Sequence, residues 1–260
     1  MSETTLVWFR IDLRLADNPA LHAAVKSGGA VVPVFIWSPE EESPWSPGGA
    51  SNWWLHQSLE AHLRAAGSRL VIRRGPALAE LRQLVKETGA RRVFWNRRYE
   101  PACIARDKKV KEAVHAAGIA AESVNGALLH EPWTIQNQSG KPFQVFTPFW
   151  RHCLSKPDPA EPLPVPKHIA SPARWPKSLA LAELGLEPRI NWAEGLCEVW
   201  QPGETGAREA LKKFLAGAFD DYAEQRNRPD VVGTSRLSPH FHFGESAPRQ
   251  VWKELKESVV

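Results

Sequence analysis

Cysteine, methionine and tyrosine are scarce in this chain: three, one and two among 260 residues. Cys103, Cys153 and Cys197 are odd in number, far apart and outside any Cys-x-x-Cys spacing. A disulfide framework or cysteine zinc site is therefore not expected, and buried, reduced thiols of a cytoplasmic protein are. No apolar run nears the roughly 20 residues that a membrane-spanning helix needs. The opening MSETTLVWFR lacks the charged-then-apolar order of a secretory signal. Neither G-x-G-x-x-G nor G-x-x-x-x-G-K-[ST] occurs, which argues against a nicotinamide dinucleotide site and excludes a P-loop. No Ser-His-Asp order, paired-carboxylate spacing or H-E-x-x-H stands out. Charge is nearly balanced at +4, which allows a polyanionic partner without requiring one.

What is present is an ordinary globular balance, 43% hydrophobic and 24% charged, with 12 tryptophans and 22 prolines. That many tryptophans serve either as core filling or as stacking and electron-passing partners of an aromatic cofactor or base.

The first half alternates between two periods. Residues 5–10 (TLVWFR), 30–37 (AVVPVFIW), 70–73, 92–95 (RVFW) and 121–124 are short apolar runs, and their near-continuous burial suits a parallel sheet covered on both faces. Between them lie helical patterns over 19–26, 51–66, 77–88 and 101–117. Asn18 and Ser51 are the expected N-caps of the first two, Pro19 takes N1, and Gly67, Gly89 and Gly118 are stops. The expected fold is α/β, a doubly wound parallel sheet. Beyond Gly126 the proline-crowded stretch PDPAEPLPVPKHIASPARWPKS can be neither helix nor central strand. It reads as a long linker wrapping over the surface, docked by its tryptophans and preceded by a short helix over 148–155. Helical patterns over 205–216 and 248–256 begin an all-helical region.

Three segments carry chemistry. WFRIDLRLADNPAL places Arg10, Asp12, Arg14 and Asp17 at the carboxyl end of the first strand, where open α/β sheets bind ligands; surface ion pairs that fix the loop are their expected role. WNRRYEP, residues 95–101, ends the fourth strand and could hold a planar ligand between Trp37, Trp95 and Glu100, the alternative being a polar strand end with a core tryptophan. YAEQRNRPDVVGTSRLSPHFHF is the most informative. After Gly233, the N–H groups, the Thr234 and Ser235 hydroxyls and the Arg236 guanidinium form a natural cradle for phosphate oxygens. Ser238 before Pro239 resembles an N-cap that would add a positive helix end. His240 and His242, with no third ligand in view, are expected to pack rather than to bind metal.

LVWFRIDLRLADNPAL, FTPFWR at 146–151 and YAEQRNRPDVVGTSRLSPHFHFGESAPRQVW, in that order, resemble the DNA photolyase and cryptochrome family along the whole chain. The resemblance implies an α/β antenna domain over 1–130, an interdomain linker over 131–204 and the beginning of a helical FAD-binding domain over 205–260. It implies a deoxyribodipyrimidine photo-lyase, monomeric when full length, whose excited reduced FAD splits cyclobutane pyrimidine dimers flipped out of damaged DNA. Position by position, Tyr222, Thr234, Ser235, Arg236, Leu237 and Ser238 match FAD-binding residues and Arg226 a DNA-contacting one. Trp37 and Glu100 are candidates for the antenna site. WNRRYEPA and SNWWLHQSL look closest to photolyases allied with plant cryptochromes, for which the antenna is a reduced folate (methenyltetrahydrofolate), with a deazaflavin or FMN as alternative. Ala102 and Cys103 stand where some bacterial photolyases carry an Asn-Glu pair that binds folate, which argues against that particular folate mode. Family members continue far past residue 260, so a fragment or truncated gene is expected, not active alone, prone to aggregation and weak in FAD binding. A cryptochrome-type photoreceptor on the same scaffold and a free-standing nucleotide-binding α/β domain are the competing readings.

Overall fold

The computed structural model describes residues 3–67 and 69–258. Five strands, β1 (Thr4–Phe9), β2 (Ala30–Trp37), β3 (Val71–Arg74), β4 (Arg92–Asn96) and β5 (Ala120–Val124), form one parallel sheet in the order β3-β2-β1-β4-β5. Four helices connect them: α1 (Pro19–Lys26), α2 (Gly49–Ala65), α3 (Ala77–Thr88) and α4 (Pro101–Ala116). The expected α/β elements are all present, with boundaries shifted by a residue or two.

Alternation along the strands divides the core. Val7, Phe9, Val31 and Phe35 face α1 and α2, packing with Leu21, Trp54 and Leu59. Leu6, Trp8, Val32 and Val34 face the opposite layer, with Leu81 and Leu84 of α3 and Val110 and Val114 of α4. Both faces are covered, so β2 is buried at every position. Pro33 sits inside this interior strand, where a missing N–H ordinarily costs a ladder bond. It is tolerated because β3 first pairs at Val34; at Pro33 only β1 lies alongside.

Asn18 caps α1 as expected, its side chain accepting from the Leu21 N–H at 3.0 Å. Ser51 does not cap α2. That helix starts two residues earlier, behind Gly48, with no side-chain cap. A single-residue cap signal cannot compete when Gly49 and Ala50 continue the helix at little steric cost. Cys103 is buried, but Cys153 is half-buried and Cys197 exposed, so the expectation of buried thiols holds for one of three.

The remainder comprises α5 (Phe146–Leu154), α6 (Glu194–Val199), α7 (Glu204–Ala216), α8 (Tyr222–Gln225), α9 (Ser238–His242) and α10 (Pro248–Ser258). The α6 and α8 turns were not foreseen. Residues 155–193 run as irregular structure with one 3-10 turn over Leu181–Leu184, passing α1 and β2 at 163–170 before reaching β3. There the Leu179 N–H donates to the Ile72 carbonyl and the Ile72 N–H to Ser178 Oγ, each at 2.9 Å, which covers an edge strand. The docking residues are Leu184, Leu186 and Ala193, not the tryptophans. Trp133, Trp150, Trp175 and Trp192 stay exposed, and only Trp200 packs, edge-on to Trp54 at 5.4 Å. No described helix is long and apolar enough to cross a membrane.

Candidate functional site

The strand order reverses between β1 and β4, and Arg10, Asp12, Arg14 and Asp17 stand at that switch point. They are not surface ion pairs. All four are buried and their bonds stay within the protein. Asp12 accepts from the Arg10 N–H and from Asn96 Nδ2, both at 2.6 Å, and Asn96 also donates to Asn18 Oδ1 at 2.9 Å. Arg10 pairs with Asp107 at 2.6 Å. The Arg14 guanidinium donates to the carbonyls of Asp17, Gly126 and Gly244; burial lowers its pKa, against Asp12, Asp17 and Glu204, which favour the charge. Asp17 binds Arg249 of α10 at 2.6 and 3.1 Å and accepts from the Leu163 N–H at 3.0 Å. Glu204 at the start of α7 accepts from the Leu15 and Ala16 N–H groups at 2.8 and 3.2 Å. Gly244 (φ +62°) lies where a Cβ would come within 2.2 Å of the Ile11 carbonyl. This loop therefore anchors the C-terminal helices onto the sheet.

Beside it, a cavity of about 590 Å³ opens between the ends of β2 and β4. Trp37 and Glu100 both line it, as do Trp45, Arg98, Cys103 and Arg106. Trp95 does not: it is fully buried in the core, edge-on to Trp8 at 5.9 Å. Strand alternation sends Trp95 into the α3–α4 layer and leaves the strand's end to the loop. The Glu100 carboxylate is engaged by Arg98 at 2.9 and 3.2 Å; burial would raise its pKa, but Arg98 holds it below the usual range.

The 233–238 loop behaves differently. Gly233 lies against α8: a Cβ there would stand 2.5 Å from the Gln225 carbonyl oxygen, so only glycine lets the loop approach. Arg236 holds a left-handed backbone (φ +54°) and Leu237 a right-handed one (φ −80°, ψ −8°). Such a pair turns successive N–H groups toward one side, the geometry of an anion-binding nest. Among the described residues, the N–H groups of 234–237 and the hydroxyls of Thr234, Ser235 and Ser238 make no hydrogen bond, and Arg236 makes no ion pair. Thr234, Ser235 and Arg236 line a groove of about 400 Å³, walled also by Trp200, Lys213, Phe214 and His240.

Of the residues singled out in the sequence, three thus converge on one groove. Tyr222 joins them indirectly, its ring edge-on to Phe214 at 5.6 Å. Arg226 is exposed, with its guanidinium 5.3 Å from the Tyr222 ring. Leu237 is buried, so only its backbone faces a ligand. Ser238 is exposed but not a wall of the groove, and it is no N-cap: Leu237 takes that place without a side-chain bond. The helix it begins has five residues, so convergent loop N–H groups, not a helix dipole, supply the positive potential. Trp200, Phe214 and Lys213 escaped sequence reading because they come from separate elements whose convergence no local spacing records; His240 was singled out and is buried, as expected of a packing histidine.

A family model described as DNA photolyase matches residues 5–167. The chain is 46% identical over 255 residues to a deoxyribodipyrimidine photo-lyase of Agrobacterium fabrum, covering 96% of this chain and 53% of that protein. It is 41% identical over 263 residues to cryptochrome-1 of Arabidopsis thaliana, covering 98% and 38%. A crystal structure of a bacterial class III photolyase from Agrobacterium tumefaciens superposes with a TM-score of 0.93 at 45% identity, covering 98% of this chain and 53% of that one. The chain thus spans about half the length, or less, of these relatives.

Proposed function

Because the chain belongs to the DNA photolyase family, we propose that it serves light-driven repair of DNA as part of a deoxyribodipyrimidine photo-lyase, and that its 233–238 loop holds the pyrophosphate of FAD. The carrying observation is the set of unpartnered donors on that loop beside an aromatic-walled groove. The donor set fits the group: neutral hydroxyls, N–H groups and one guanidinium suit a diphosphate, and no acidic side chain lies within the loop. Thr234, Ser235 and Arg236 bind phosphate oxygens, Leu237 and Ser238 contribute backbone and hydroxyl, and Tyr222 with Phe214 flanks the remainder. When bound, reduced FAD supplies the excitable electron donor that splitting a cyclobutane dimer requires.

The protein's own share is placement. Arg226 projects into solvent beside Tyr222 and offers its guanidinium to a DNA phosphate near the lesion. The 590 Å³ cavity is the antenna site, with Trp37 and Glu100 among its walls and a chromophore of the folate class, or a deazaflavin or FMN, as occupant. Residues 1–130 then form the antenna unit, 131–204 the linker and 205–260 the opening of the flavin-binding unit, in a monomeric cytoplasmic protein. Family membership displaces the free-standing nucleotide-binding domain.

Protein carrying this chain, supplied with FAD and blue light, is expected to restore the two pyrimidines of a dimer-containing oligonucleotide. The 41% identity to cryptochrome-1 supports a photoreceptor as second reading. Intact dimers together with light-driven changes in the flavin spectrum would select it.

A further inference from the structure

His240 and Glu245 form a pair that packing alone does not require. Both are almost fully buried, with side-chain exposures of 2% and 0%, and His240 Nδ1 meets Glu245 Oε2 at 2.5 Å. The other carboxylate oxygen, Oε1, accepts from Trp54 Nε1 of α2 at 2.9 Å. The Glu245 N–H closes back on the His240 carbonyl at 2.8 Å, and the Trp54 ring lies edge-on to the imidazole at 5.4 Å. The carboxylate and the ring plane are thereby fixed.

Nε2 of the same imidazole has no hydrogen-bond partner among the described residues, and His240 lines the groove together with Thr234, Ser235 and Arg236. A carboxylate removed from water is favoured by N–H donors and by a compensating positive charge. An imidazolium at position 240 would supply that charge, and an imidazolium has a second N–H to give. The other charged walls of the groove are Arg236 from the loop and Glu209 and Lys213 from α7.

We propose that His240 is a phosphate-binding residue: Nε2–H donates to a pyrophosphate oxygen of the bound nucleotide while Glu245, oriented by Trp54, balances the imidazolium charge. The inference rests on the reading of the 233–238 loop as a nucleotide cradle. It adds an anchor rooted in the α/β unit, since Trp54 belongs to α2.

The test is a titration of the isotope-labelled 260-residue chain with ADP, which carries the pyrophosphate without the flavin, followed by 15N resonances of backbone amides and histidine rings. Amides of 234–237 and the His240 Nε2 resonance are expected to move together, with one dissociation constant, while adenosine moves neither. Loop amides that respond with His240 Nε2 unmoved overturn this inference and leave the loop reading standing. Loop amides that do not respond overturn both. His240→Asn, confirmed as folded by its amide spectrum, is expected to weaken ADP binding about tenfold, the size of one charge-assisted hydrogen bond. Unchanged affinity in that variant contradicts the proposal. Glu245→Gln keeps an acceptor for Trp54 but removes the balancing charge, and a similar weakening is expected of it.

Discussion

The loop after β1 and the loop before α9 are both rich in arginine and short polar side chains. They differ in where their hydrogen bonds go. Arg14 and Asp17 are buried and saturated by Gly126, Gly244, Leu163 and Arg249. Thr234, Ser235 and Arg236 are accessible or half-buried and have no such partner among the described residues. Polar groups that the protein satisfies itself hold the fold. Polar groups left open on a backbone of fixed shape are suited to an anion from outside. Substitutions should therefore divide: stability falls at the first loop, ligand affinity at the second.

The largest expected effect is at Asp17. Asp17→Ala leaves Arg249 and the Leu163 N–H unpaired and places alanine at a left-handed backbone (φ 48°). A loss of about 3–5 kcal/mol in chemical denaturation is expected. An effect below about 1 kcal/mol would place the anchor elsewhere.

His62 follows. It is buried beside Phe9, and burial depresses its pKa from 6.5 to about 4. Between those values the unfolded chain binds the proton and the folded one does not, so stability rises with pH across that window and is lost as pH falls. The shift corresponds to about 3 kcal/mol. Melting curves from pH 7.5 to 4 should show that loss, and His62→Phe should flatten it; an unchanged slope in the variant would assign the acid sensitivity to other groups.

Gly233→Ala is expected to cost about 1–3 kcal/mol, since its Cβ meets a backbone carbonyl that cannot move aside. It should also weaken nucleotide binding by displacing the loop, unlike Asp17→Ala at conditions where that variant is folded. Ser235→Ala sits at the other end of the scale. Its stability should stay within about 0.5 kcal/mol of the parent, as for other surface substitutions, while affinity for FAD falls. A stability loss as large as that of Gly233→Ala would show Ser235 to be structural.

The fold was readable because its signals are local. Continuous apolar runs at 30–37 and 92–95, helical periods between them and the Asn18–Pro19 start each depend on residues a few positions apart. The GTSRLS loop could be singled out as a candidate for the same reason, its polar groups being contiguous. What escaped depends on distance in sequence. Arg14 seeks acceptors at Gly126 and Gly244, over 100 residues away, so composition alone made it a surface charge. Trp95 was drawn toward the ligand side by its neighbours Arg97 and Glu100, whereas its strand phase fixed it in the core. His240 was set aside as packing because Glu245 and Trp54 become its partners only when α9 docks on α2.

The most direct test of the open-donor loop is equilibrium dialysis with FAD against full-length protein carrying this chain, as parent, and its Thr234→Ala, Ser235→Ala, Ser238→Ala triple variant. The expected result is retention of FAD by the parent and at least a roughly tenfold loss of affinity in the variant at an unchanged melting temperature. Equal affinity in the two proteins, or none in the parent, would contradict it.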